Sequence, residues 1–209
     1  KNKIIEIGNI VRKEIINFNE NNAQVKSFEK LKILVLGGSQ AAKIFAEKLP
    51  QIFQKCKNNK ISIKIYQQCQ KNQNEYLTSF YKNENIDFEI FNFTSNIVNY
   101  FSKTNLVITR SGASILGELI NTNTPFISVP LPTSADNHQQ KNAIFYEKKN
   151  FGFLIEEKDL DNKLFNLIKS LYENKTLIEK IITNQSQYSD KNTFQDINTE
   201  IEKIIDEKN

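Results

Sequence analysis

Short apolar runs alternate along this chain with longer stretches in which apolar residues return every three or four positions. The short runs are rich in β-branched and aromatic residues. They predict strands at Lys32 to Leu36, Ile61 to Tyr66, Phe88 to Phe91, Leu106 to Thr109, Phe126 to Val129 and Phe153 to Ile155. Between them Ile44, Phe45, Leu49, Ile52 and Phe53 recur at helical spacing. Leu160, Leu164, Leu167, Ile168 and Leu171 do the same, as do Ile197, Ile201, Ile204 and Ile205. Each set predicts a helix with its apolar face on the core. Ahead of the first main strand, Ile4, Ile5 and Ile7 suggest a short strand before Gly8-Asn9. A short helix is expected over Val11 to Phe18, and "NENNAQ" reads as a polar loop. Strands alternating with helices imply an α/β fold, a Rossmann-like parallel sheet with helices on both faces. Neither an internal repeat nor a low-complexity linker interrupts it.

In such sheets ligands bind beyond the carboxyl ends of the strands. The polar residues that follow the strands are therefore the candidate chemistry. In "LKILVLGGSQAAK" an apolar run ends in Gly37-Gly38-Ser39 before a helix-compatible segment. Glycines let backbone approach a ligand, and free N–H groups at a helix start favour an anion such as phosphate. The alternative is a plain glycine turn between strand and helix. Asn92-Phe93-Thr94 follows the third strand. Arg110-Ser111-Gly112-Ala113 follows the fourth and opens a helix over Ala113 to Ile120. Glu118 lies about one turn into that helix. A carboxylate there accepts two hydrogen bonds from a vicinal diol such as ribose, or merely complements the helix dipole. "PLPTSADNHQQKNA" follows the fifth strand, with Asp136 or Asn137 placed to cap the next helix. Gln139 and Gln140 fall in its first turns, and amides suit sugar hydroxyls because they donate and accept. His138, the one histidine, reads as an exposed or capping residue. The dinucleotide fingerprint, the P-loop, the nucleophile elbow and metal-ligand clusters do not occur in this sequence.

Charge and length change this picture little. The net charge of +4 over 209 residues is spread along the chain, which favours an ordinary solvated surface over nucleic-acid binding. No run reaches the length of a membrane span and no signal-peptide pattern opens the chain. Cys56 and Cys69 lack metal or redox spacing, so reduced thiols in a cytoplasmic compartment are expected. The chain starts at Lys1 and contains no Met, so a longer parent protein is expected.

Taken in order, "GNIVR" (Gly8 to Arg12), "LVLGGSQAAK", "TRSGASILGE" and "P…DNHQQKNA" resemble the C-terminal half of the MurG family. These are peptidoglycan N-acetylglucosaminyltransferases, which move N-acetylglucosamine from a UDP-sugar to a lipid-linked muramoyl-pentapeptide. The resemblance covers nearly the whole chain. It implies one half of a two-domain GT-B fold, with residues 1–30 from the inter-domain region and residues 31–209 forming the UDP-sugar-binding domain. It implies that Arg12 reaches the nucleotide or its phosphates. Ser39 and the Gly37-Gly38 backbone would contact the pyrophosphate. Phe93 would lie against uracil, with the Thr94 backbone reading its edge. Ala113, Ser114, Ile115, Leu116, Gly117 and Glu118 would line the nucleotide-sugar, with Glu118 on the ribose. Gln139 and Gln140 would hold the N-acetylglucosamine hydroxyls. No metal or cofactor is implied. The acceptor would be met through an N-terminal domain, at the cytoplasmic face of the inner membrane.

Three departures stand out. Ile10 replaces the family's Pro, and Ala41 replaces a Gly after "GGSQ". The N-terminal "GGTGGH" segment that carries the family's candidate general base is not in this sequence. The fragment is therefore expected to bind donor and to turn over nothing alone. Two other readings remain: a UDP-sugar transferase with another lipid acceptor, such as diacylglycerol, and a non-catalytic nucleotide-binding module.

Overall fold

The computed structural model describes residues 5, 7–21, 29–38 and 43–206. Six strands form one parallel sheet: β1 (Leu31–Leu36), β2 (Ile63–Gln68), β3 (Asp87–Phe91), β4 (Leu106–Thr109), β5 (Phe126–Ser128) and β6 (Phe153–Leu154). Their order across the sheet is β3-β2-β1-β4-β5-β6. Every pairing is parallel, with Ile33 opposite Ile65 on one side and Leu106 on the other. The order reverses between β1 and β4, and a sheet of this kind opens a crevice at that point beyond the strands' carboxyl ends.

The helices are α1 (Lys13–Asn21), α2 (Lys43–Asn58), α3 (Asn74–Asn83), α4 (Val98–Lys103), α5 (Ala113–Asn121), α6 (His138–Lys148), α7 (Phe165–Glu173), α8 (Lys175–Ser186) and α9 (Thr193–Asp206). Successive strand residues point to opposite faces. Ile33 and Val35 accordingly join a core with Ile65, Ile108, Phe45, Leu49, Phe53 and Ile168. Leu34 and Leu36 join a second core with Val107, Phe126, Leu116 and Ile120. Val11, Ile15 and Phe18 are buried in that second core, so the segment ahead of β1 is packed against the sheet's helices.

All six main strands fall within two residues of their expected positions. The expected strand near Ile4 does not form over Ile5 and Ile7, and Ile4 lies outside the described residues. The first helix runs on to Asn21, into the segment expected as a loop. The apolar repeat from Leu160 makes a π turn (Leu160–Leu164) before α7 rather than one continuous helix. The apolar stripe of α9 is not core: Ile201, Ile204 and Ile205 are each about half exposed. Helical spacing marks an amphipathic face without saying what covers it. Among the described residues, no helix is long and apolar enough to cross a membrane.

Candidate functional site

Beyond the carboxyl ends of β1, β2, β3 and β4 lies a cleft of about 680 Å³, with Leu36 and Thr109 at the strand-order reversal in its wall. Its wall includes Arg12, Gly38, Phe93, Thr94 and Ile115. Gly38 follows β1 with φ +77°, a backbone conformation that L side chains rarely adopt, and among the described residues nothing lies within 4 Å of where a Cβ would stand. Gly37 is buried beside it. Ser39 lies outside the described residues, as does Ala41. Phe93 is 82% exposed, a large apolar ring left in solvent at the cleft's edge. The Thr94 hydroxyl accepts from the Asn96 N–H at 3.1 Å and shapes the loop after β3.

Arg12 opens α1: its carbonyl accepts from the N–H groups of Ile15 and Ile16. Its guanidinium makes a two-point contact with Glu118, Nε to Oε1 at 2.8 Å and Nη2 to Oε2 at 3.0 Å, and Nη1 reaches Glu14 at 2.9 Å. The hydrogen bonds that Arg12 donates to Glu118 raise its pKa above the ordinary value, against a smaller lowering by burial. A carboxylate has about four lone-pair sites and a bidentate guanidinium uses two, so Glu118 retains capacity for a diol.

The α5 residues divide by burial. Ala113 and Ser114 are exposed at the helix start, and Gly112 holds the N-cap with extended φ and ψ. Leu116 is fully buried in the second core, and Asn9 lies directly over Gly117. Neither of these two offers a side chain to the cleft, which narrows the expected run of lining residues.

Arg110 turns inward. Its Nη1 donates to the carbonyls of Val129 and Pro130 at 3.3 Å each, and Nη2 lies 2.5 Å from Glu157. Its guanidinium also sits 5.1 Å over the Phe45 ring. A largely buried cation needs such partners, so Arg110 clamps the β4 and β5 ends rather than presenting its charge. Ser111 is buried as well; its N–H donates to Gln139 Oε1 at 3.2 Å and its carbonyl accepts from Asn142. Gln139 Oε1 also accepts from the Leu131 N–H at 3.0 Å. Gln139 therefore ties two post-strand loops together, and its amide NH₂ is the end left to meet a ligand. Gln140 is half-buried one residue further along α6. Asn137 occupies the N-cap with φ +53° but makes no side-chain cap bond, and Asp136 sits in the preceding 3₁₀ turn. The expected capping by either side chain is thus not found. His138 is exposed, with Nδ1 2.8 Å from the Ala135 carbonyl oxygen.

Sequence reasoning missed the contribution of β2. Gln68, Cys69, Gln70 and Lys71 form part of the cleft wall. Asn92 ties this strand end to the next: its Nδ2 donates to the Cys69 carbonyl at 2.9 Å and to Asn74 Oδ1 at 2.8 Å. Polar residues following a strand were the signal used elsewhere, and "QQCQK" carried it too. Cys69 is buried, and burial pushes its thiol up to about 11.

The glycosyltransferase family 28 C-terminal domain model matches residues 32–201. A Pelagibacter ubique protein named UDP-N-acetylglucosamine--N-acetylmuramyl-(pentapeptide) pyrophosphoryl-undecaprenol N-acetylglucosamine transferase is 41% identical over 211 residues, covering 99% of this chain and 57% of that protein. A Rickettsia bellii protein of the same name is 34% identical over 191 residues, covering 88% of this chain and 53% of its own length. The chain thus spans little more than half the length of these curated relatives. The crystal structure of Acinetobacter baumannii MurG superposes with a TM-score of 0.77 at 24% identity, over 90% of this chain and 55% of that one. The architecture is that of one half of a GT-B glycosyltransferase. This chain belongs to the glycosyltransferase family 28 C-terminal domain family.

Proposed function

We propose that this chain is the donor-binding half of an inverting transferase that places N-acetylglucosamine from UDP-N-acetylglucosamine onto lipid-linked muramoyl-pentapeptide. The observation that carries the reading is the cleft at the strand-order reversal, which gathers Arg12, Gly38, Phe93 and Thr94 beside Glu118 in a chain of this family. Residues 31–209 are read as the donor domain and residues 1–30 as its inter-domain segment. Phe93 offers a face for uracil, Glu118 its free lone pairs for the ribose hydroxyls, and the Gln139 and Gln140 amides meet the sugar. Positive charge at Arg12, with the backbone of the Gly37-Gly38 turn and Ser39, stabilises the departing diphosphate. A base on the other half takes the acceptor's proton, and the whole protein works at the cytoplasmic face of the inner membrane.

Calorimetric titration with UDP-N-acetylglucosamine tests the donor site. Binding is expected, and Glu118→Ala should weaken it by about tenfold, the scale of losing hydrogen bonds to a charged group. Equal binding by folded Glu118→Ala removes Glu118 from the site. Assaying the intact protein with muramoyl-pentapeptide lipid and with diacylglycerol decides the acceptor.

A further inference from the structure

A buried polar hub lies behind the cleft, around Asp190 in the connection between α8 and α9. Asp190 is 3% exposed. Its Oδ1 accepts from the Asn9 N–H at 2.9 Å and from the Tyr188 hydroxyl at 2.8 Å. Its Oδ2 accepts from Asn9 Nδ2 at 3.0 Å and from Asn121 Nδ2 at 2.6 Å. The Asp190 N–H donates back to Asn121 Oδ1 at 2.9 Å, and the Tyr146 hydroxyl donates to Asn9 Oδ1 at 3.1 Å. Two glycines make room for this arrangement. Gly8 has φ +85°, and a Cβ there would stand 2.5 Å from Asp190 Oδ1. A Cβ on Gly117 would stand 3.1 Å from the Asn9 side chain. The Gly8-Asn9 turn is thus fastened to α5, α6 and the α8–α9 connection at once.

Three residues later comes Arg12. Its other flank is fixed as well, because Ile15 and Phe18 are buried in the second core, as is Val11 just before it. A partly exposed guanidinium on a long, flexible side chain is thereby carried by backbone held on both sides. Fixing its root reduces what ligand binding must order.

We infer that Asn9 and Asp190 are positioning residues for the donor diphosphate: they touch no ligand and act by fixing the segment that carries Arg12. The inference rests on the donor-site reading above. The test is a double-mutant cycle on the intact protein, measuring dissociation constants for UDP and for uridine. Asn9→Ala should weaken UDP about fivefold, leave uridine unchanged, and add nothing in an Arg12→Ala background. Tyr146→Phe, which removes one hub bond and keeps the ring, should show the same pattern at about twofold and serves if Asn9→Ala does not fold. A merely structural role would lower the melting temperature without this dependence on phosphate and on Arg12. Wild type that binds no UDP overturns the donor-site reading and this inference together. Wild type that binds UDP and is weakened by Arg12→Ala, while folded Asn9→Ala is unchanged or loses UDP and uridine alike, overturns the inference alone.

Discussion

At the scale of single residues, Gln139 shows how one amide divides its two ends. Its carbonyl oxygen is held by the N–H groups of Ser111 and Leu131. Gln139→Glu keeps that acceptor and replaces the donor end. The fold should therefore persist, and UDP affinity should stay at the wild-type value. The extra affinity of UDP-N-acetylglucosamine over UDP should fall by about tenfold if the NH₂ meets the sugar. Gln139→Leu strands both backbone donors and should instead cost about 1–3 kcal/mol of stability. Urea melts and paired titrations separate the two effects. A Gln139→Glu protein that still distinguishes the sugar nucleotide as wild type does would remove Gln139 from the sugar site.

Among the elements, α3 is locked to β2 by a bond the sequence did not disclose. The Tyr81 hydroxyl donates to Gln67 Oε1 at 2.5 Å, with both residues fully buried. Tyr81→Phe keeps the ring packing and leaves that oxygen without its donor, so a loss of about 1–3 kcal/mol is expected. An unchanged urea midpoint would show that the bond contributes nothing net. Elements like β1 and α2 were legible because their signals are local: an apolar run ending in glycines, and a 3.6-residue repeat. That repeat survives Pro50, which sits inside α2. The family resemblance identified the Arg12 segment, yet nothing local could show that Arg12 lies on Glu118, 106 positions away. The inward turn of Arg110 was hidden for the same reason. Whether a cation faces ligand or core depends on which loops arrive beside it. The stripe of α9 was read correctly as a helix and wrongly as core, since periodicity fixes a face and not its neighbour.

On the scale of the whole molecule, burial of neutral acids sets the response to alkali. Burial raises the Cys69 thiol to about 11 and the Cys56 thiol to about 12 from an ordinary 9.0. Tyr100 rises to about 12 from 10.0, first through burial and then through its hydrogen bond to Glu89. Burial also raises Tyr66 and Tyr146, and drives Tyr81 well above the ordinary value. Each group binds its proton more tightly folded than unfolded. The stability linked to it is therefore complete below the unfolded pKa and is lost as pH rises through the folded one. The thiol window opens near pH 9 and the tyrosine window near pH 10. Acid works in the opposite sense at Asp87. Burial raises its pKa, but hydrogen bonds and charge from Lys30 and Lys64 outweigh that and lower it. Its contribution is present above the ordinary carboxylate value and fades as pH falls through the lowered one. The group is substantially exposed, so water screens it and the acid effect is small. Urea midpoints should accordingly change little around neutrality and drop steadily between pH 9 and 11, with tyrosinate absorbance lagging behind free tyrosine. A midpoint that holds level or climbs across that alkaline interval would mean that the buried thiols and phenols ionise as readily in the folded chain as in water.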